Sequence, residues 1–320
     1  MRDFLSSFVR FAVIFALGSS LALVAYSQLS LRIAMDKDAD GKADFTVFRP
    51  STNIWYTLNS DGSFSFIPWG LASDDIMTPG DYDGDGKGDI SVWRDTDGVW
   101  YTLNSSDGTV SYEVWGLSGD EPVARDYDGD GKTDRAVIRR TGGVMIWYVL
   151  QSSGGIKNIV WGLASDFATP GDYDGDGKFD FSIQRPGQTP TSPAIFWTLN
   201  SNDGSVSAIN WGISKDLVVP GDYDGDGRTD YAILREGPTP ESALEWWILQ
   251  SRDGVAAHAF GATGTDYNVQ NDYDGDGKTD IAVWRDSDGT FWWIRSSDRS
   301  VNAVRWGAPN DYPVASYDTH

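Results

Sequence analysis

Residues 80–89 read GDYDGDGKGD and residues 271–280 read NDYDGDGKTD. Four more stretches share the form: DKDADGKAD from Asp36, DYDGDGKTD from Asp126, DYDGDGKFD from Asp172 and DYDGDGRTD from Asp222. The loops opening at Asp36, Asp81, Asp126, Asp172, Asp222 and Asp272 are therefore spaced by 45, 45, 46, 50 and 50 residues. A sustained period of this length marks a repeat array, solenoid or propeller, in which each unit buries its apolar face against a neighbour.

Between loops the hydrophobic period is that of strands. Each loop runs into a short alternating segment (DFTVFR, DISVWR, DRAVIR, DFSIQR, DYAILR, DIAVWR) and then an aromatic one (IWYTL at 54–58, VWYTL at 99–103, IWYVL at 146–150, IFWTL at 195–199, EWWIL at 245–249, FWWIR at 291–295). β-Branched and aromatic residues in alternation fit half-buried strands. Tight-turn pairs follow at Asp61-Gly62, Asp107-Gly108, Gly154-Gly155, Asp203-Gly204 and Asp253-Gly254, with Asp298-Arg299 as the one departure. A third strand ends in Trp69-Gly70 or its equivalents, and a short fourth, such as EPVARDY at 121–127, leads to the next loop. Four strands per unit with tight turns predict an all-β propeller of four-stranded blades. Six loops imply six blades, with seven open if the two half-units at the chain ends pair with each other. The tail DYPVASYD (311–318) imitates the start of a unit and is expected to complete the first blade, whose own leading segment around Leu29 to Ala34 matches poorly.

The loop itself is cation chemistry. Carboxylates at positions 1, 3 and 5, a carbonyl at 7 and a further carboxylate can surround one hard cation with oxygen, and glycine at 6 permits the sharp turn. The fourth carboxylate is at position 9, because position 12 is a strand residue: Val47, Val92, Val137, Ile183, Ile233 or Val283. The candidate ligands are Asp36, Asp38, Asp40 and Asp44; Asp81, Asp83, Asp85 and Asp89; Asp126, Asp128, Asp130 and Asp134; Asp172, Asp174, Asp176 and Asp180; Asp222, Asp224, Asp226 and Asp230; and Asp272, Asp274, Asp276 and Asp280. Calcium suits this large, flexible oxygen set better than magnesium, which demands a stricter octahedron. Up to six calcium ions are expected.

Composition agrees. The 320 residues carry a formal charge of −22, and these 24 aspartates supply half of the 47 acidic residues. Six divalent ions would bring −22 to about −10. Such acidity argues against nucleic acid as a partner, since phosphate binding depends on clustered lysine and arginine. There is no cysteine, so extracellular stability must come from packing or bound ions rather than disulfides. Arg2 and Arg10 precede the apolar run Phe11 to Ala25, and Ala25-Tyr26-Ser27 offers a small-residue cleavage site. Residues 1–27 read as a secretory signal and 28–320 as the propeller, secreted or at the cell surface, with the periplasm as a further location. The run falls short of the ~20 residues of a membrane span, so no stable span is expected after cleavage; an uncleaved anchor is the rival reading.

No catalytic constellation emerges, and the chain is expected not to be an enzyme. The two histidines are His258, in a predicted strand, and His320. A serine triad would have to be built on His258, and a pair of acids for glycoside cleavage on Glu241 or Glu245. The 15 tryptophans recur at equivalent strand positions, as packing between blades requires. The arginine after each first strand (Arg49, Arg94, Arg139, Arg185, Arg235, Arg285) reads as a partner for carboxylates or carbonyls. Units four and five carry longer first hairpins, RPGQTPTSPAIFW (185–197) and REGPTPESALEWW (235–247). Up-and-down strands would place both, on neighbouring blades, on the face opposite the aspartate loops.

The DxDxDGxxD loop followed by a strand and an aromatic hairpin resembles the FG-GAP or VCBS repeats of integrin alpha-subunit propellers and of secreted bacterial proteins. The resemblance spans roughly Leu29 to the C-terminus. It implies a calcium-bound propeller for adhesion or ligand binding, with ligands on the face opposite the ions. Integrin propellers have seven blades, against six loops here. The expected function is a non-enzymatic adhesion or interaction module for an extracellular protein or glycan, with a lectin, and after it a polysaccharide-acting enzyme, as alternatives.

Overall fold

The computed structural model describes Leu31 and residues 33–315; the expected signal segment, 1–27, and the last residues of the tail lie outside them. Six four-stranded antiparallel sheets follow one another around a ring. The first blade combines Tyr312–Pro313, Phe45–Arg49, Ile54–Leu58 and Phe64–Pro68. Blade two runs Asp75–Met77, Ile90–Arg94, Val99–Leu103, Val110–Val114, and blade three Glu121–Pro122, Arg135–Thr141, Val144–Leu150, Ile156–Leu163. Blades four to six repeat the order from Phe167–Ala168, Leu217–Val218 and Asp266–Asn268. The fold is the six-bladed propeller that the period predicts.

The phase of the repeat is the one that the tail's likeness to the start of a unit implies. The short strand before each aspartate loop is the innermost strand of the next blade, hydrogen-bonded to the strand after the loop, as in Met77↔Val92. That strand is only two or three residues long, too short to show a period of two. The offset leaves the first blade without an inner strand of its own, since Leu31 and Ile33 are helical. The tail fills the place as expected, with Val47↔Pro313 and Phe48↔Tyr312 in register and Val314 N donating to Thr46 O.

Packing explains why these residues recur. Val47, Val92, Val137, Ile183, Ile233 and Val283, at loop position 12, are all buried to 1% exposure or less; each contributes about 1.5–3 kcal/mol relative to exposure. Trp55, Trp93, Trp100, Trp147, Trp246 and Trp284 are fully buried, and none of the other nine is exposed. In five of the six blades the tryptophan near the end of the outer strand ties its blade to the next, Phe260 standing there in blade five: Trp69 Nε1 donates to Tyr101 O, Trp115 to Tyr148 O, Trp161 to Trp197 O, Trp211 to Trp247 O, and Trp306 back to Tyr56 O. The tyrosine at loop position 2 makes a further link, with Tyr127 stacked on Phe181, Tyr173 on Tyr231 and Tyr273 on Phe45.

The recurring arginines are structural staples. Arg94 makes a two-pronged contact with Asp75 (2.7 and 3.0 Å), and Arg49, Arg139, Arg185, Arg235 and Arg285 meet Asp311, Asp120, Asp166, Asp216 and Asp266. Each aspartate also accepts a backbone N–H from the turn after the Trp-Gly step, such as Leu117 N to Asp120 at 2.8 Å. The guanidinium lies over the aromatic ring of the neighbouring strand, 4.3 Å from the Tyr56 centroid in blade one. A planar cation that both pairs and stacks favours arginine over lysine.

Candidate metal centres

Each aspartate loop turns its carboxylates inward. Oxygens of Asp36, Asp38 and Asp40 lie within 4.8 Å of one another, as do those of Asp81, Asp83 and Asp85; Asp126, Asp128 and Asp134; Asp172, Asp174 and Asp180; and Asp222, Asp224 and Asp226. In the second loop Asp81 accepts the N–H groups of Gly84 and Gly86 (2.6 and 3.0 Å), Asp83 that of Asp85, Asp85 that of Lys87, and Asp89 that of Tyr82 (2.8 Å). The same pattern holds Asp272, Asp274, Asp276 and Asp280 in the sixth loop. Glycine is needed at position 6, where Gly86 has φ +84°. In the first loop position 4 is Ala39, with φ 64°, where every other loop has glycine.

A serine from the outer hairpin closes each loop. Ser105 N donates to Asp89 (2.7 Å) and its Oγ to Asp85 (2.9 Å); Ser152, Ser201, Ser251 and Ser296 brace Asp134, Asp180, Asp230 and Asp280 in the same way, and Ser60 does so for Asp44. Sequence reasoning passed over this serine, although its signal was present: it follows Asn, Gln or Arg at the end of every aromatic strand.

Electrostatics favour a cation. Burial pushes Asp44, Asp134, Asp180 and Asp280 up to about 7 and Asp230 up to about 8, while Asp81, Asp126 and Asp222 rise to about 6. Like charges 4.8 Å apart repel by about 0.9 kcal/mol in bulk water and about 3.5 kcal/mol at the effective dielectric of a protein surface. Asp224, 1% exposed, has an Oδ1 with no hydrogen bond, its ion-pair partner being the Arg252 guanidinium at 3.9 Å. This oxygen sits in an all-oxygen donor set that suits a hard cation.

The loops are joined in a ring. The N–H at position 8 of each loop donates to the carbonyl of the first aspartate of the loop before it: Gly88 to Asp36, Thr133 to Asp81, Phe179 to Asp126, Thr229 to Asp172, Thr279 to Asp222, and Ala43 to Asp272, all at 2.7–2.9 Å. Two loops carry a resident guanidinium. Arg252 sits 3.9 Å from Asp224 and donates to its carbonyl, and Arg295 lies 3.2 Å from Asp274.

The other candidate residues lie apart from these loops. His258 is on the outer strand of blade five, paired with Trp246. Glu245 accepts from Trp247 Nε1 at 3.3 Å, and Glu241 is exposed in the long hairpin of blade five. That hairpin and its counterpart in blade four join second to third strands, at the end opposite the aspartate loops. Both are well ordered: Thr189 and Thr239 donate to the Oγ of Ser192 and Ser242.

Ring, blade count and acidic loops define a six-bladed β-propeller built from one repeated unit. Residues 36–92, covering the first loop through the start of the second blade, match the family model described as an FG-GAP-like repeat, and the aspartate loop of that stretch recurs in each of the other units. No curated protein matches the sequence. Similar solved structures include a catalytically inactive virginiamycin B lyase from Staphylococcus aureus with quinupristin, at 10% identity over 82% of this chain and 78% of that one, TM-score 0.45. A protein from Lactobacillus plantarum shares 10% identity over 84% and 98%, TM-score 0.43. Neither likeness bears on activity. Among the described residues no helix is long and apolar enough to cross a membrane.

Proposed function

We propose that this chain is a secreted, calcium-stabilised propeller acting as a non-enzymatic adhesion or interaction module for an extracellular protein or glycan. The observation that carries the reading is the repeated construction of one loop, in which carboxylates gather in threes and a hairpin serine braces the loop. Such a loop concentrates negative charge that only a cation offsets. The first, third, fifth and ninth positions, with the carbonyl at the seventh, would hold the ion, which when bound would supply structural cross-linking of loop to hairpin. With no cysteine in the chain, ions take the stabilising part that disulfides have in other secreted domains. The ordered long hairpins of blades four and five, on the free face, are the expected contact surface for the partner.

Thermal unfolding in calcium, magnesium and chelator tests the first half. Each site at a hundredfold excess of ion over its dissociation constant adds about 2.7 kcal/mol, so calcium should raise the melting temperature selectively and by many degrees. Identical melting in all three conditions would sink the metal assignment. A glycan array and a pull-down with the hairpins 186–195 and 236–244 shortened then separate a glycan from a protein partner.

A further inference from the structure

We propose that the axial cavity of this propeller is a binding pocket for a small apolar or aromatic molecule that carries one anionic group. The cavity has a volume of about 590 Å³, within the range of small-molecule sites. It lies among the inner strands of blades two to five, with Ala315 contributing from blade one.

The pocket reaches solvent at the end of the inner strands opposite the aspartate loops, where the exposed Ile76, Phe167 and Lys215 line it. On the loop face, Leu31 joins the apolar cluster of blades three and four, while its carbonyl accepts from Asn271 Nδ2 of blade six at 3.5 Å. Blades three and six stand opposite each other in a ring of six, so Leu31 touches both sides of the axis there. On the other face each inner strand starts beside its ion-paired aspartate with Ile76, Glu121, Phe167, Leu217, Tyr267 or Tyr312. Five of these six are apolar or aromatic, and Ile76, Phe167, Tyr267 and Tyr312 are 38–50% exposed. Strand ends that needed only solvation would be polar. Below the rim the walls are Met77, Val123, Ala168 and Val218.

Charge selects the ligand's head group. The whole chain carries −22, yet the cavity lining holds three cations, Arg125, Arg140 and Lys215, against two carboxylates, Glu121 and Asp216. Glu121 and Arg140 neutralise each other at 2.8 Å, Asp216 is held by Arg235 at 2.7 Å, and Arg125 lies at the loop end of its strand, β-bridged to Asp134, which leaves Lys215 as the cation at the rim. Lys215 stands where the other blades have Asp74, Gly119, Ser165, Thr265 and Asn310. Its N–H donates to Pro190 O and that of Ser214 to Ser192 O, so the long hairpin of blade four holds this lysine at the mouth. Lys215 at the rim of an acidic molecule draws in a single anionic group, and the apolar walls take the body behind it.

Anilinonaphthalene sulfonate, an aromatic body with one sulfonate, is the first probe, titrated by fluorescence against the full chain in calcium, with uncharged phenylnaphthylamine beside it. One saturable site is expected for each. Ala168→Trp, which fills the cavity, should weaken both about tenfold or more. Lys215→Glu, at an exposed position, should weaken the sulfonate about fivefold and leave the uncharged probe unchanged. Ile76→Asp at the rim replaces Ala168→Trp, with the same expected loss, if the latter lacks the native near-ultraviolet circular dichroism. Absence of a saturable site, binding insensitive to cavity filling, or equal responses of the two probes to Lys215→Glu overturns the proposal.

Discussion

In the third loop, burial pushes the Asp134 carboxyl up to about 7, and Ser152 N and Tyr127 N hold it in place at 2.7 and 2.9 Å. Unfolded aspartate titrates near 3.9. Between about pH 4 and pH 7 the ion-free folded chain therefore binds more protons than the unfolded chain, and it loses stability as pH rises. A divalent ion binds only the ionised form and so opposes this loss. The melting-temperature difference between calcium and chelator is predicted to widen from about pH 5 to about pH 8; a difference that narrows or stays level would contradict the loops as ion sites. Asp134→Asn separates the two effects in one residue. In chelator at pH 8 the neutral amide should raise the melting temperature, whereas isothermal titration with calcium should lose one site. Ala39 tests the backbone alone: its left-handed conformation costs about 1–2 kcal/mol relative to glycine, less the greater freedom glycine gives the unfolded chain. Ala39→Gly should stabilise the protein by about 0.5–1 kcal/mol in denaturant unfolding.

Within a blade the arginine–aspartate staple joins the second strand to the inner one, and its strength comes from the burial of one partner. Asp75 keeps 3% of its side chain exposed and Arg94 21%. Arg94→Ala leaves Asp75 with the Leu71 N–H and no counter-ion, and should cost about 3 kcal/mol, the lower end of the range for broken buried pairs because the guanidinium reaches water. Equilibrium unfolding in urea measures it; a cost under about 1 kcal/mol would class the staple with surface ion pairs. The arginine was legible in the sequence as a partner for a carboxylate, but its aspartate was not, because Asp75 precedes Arg94 across an entire acidic loop. The long strands and the loops were legible because alternation and the Asp-x-Asp-x-Asp-Gly pattern both leave local marks. The inner strand left the faintest mark, since Glu121–Pro122 is shorter than any period it could show, and only the tail's likeness to the start of a unit revealed where a blade begins. The axial cavity stayed hidden for a related reason, since each repeat contributes only a few residues to it.

Closure of the ring rests on a very short strand. Tyr312–Pro313 pairs with the first blade, Val314 is buried there, and Asp311 clamps Arg49 at 2.7 and 2.8 Å. Other links between the first and last blades do not involve the tail, among them Ala43 N to Asp272 O, the stack of Phe45 on Tyr273, and Trp306 Nε1 to Tyr56 O. A chain ending at Asn310 should therefore still fold, with an exposed inner edge on blade one and a lower melting temperature. The decisive comparison is a double-mutant cycle, which isolates the contact between two elements. In the full chain Arg49→Ala should cost about 3 kcal/mol, by the same argument as for Arg94. In the shortened chain, where Asp311 is gone, the same substitution should cost about 0.5 kcal/mol or less, the range of a surface change. Equal costs in both backgrounds would mean that Arg49 works through blade one alone, and that the tail does not lock the ring through this pair.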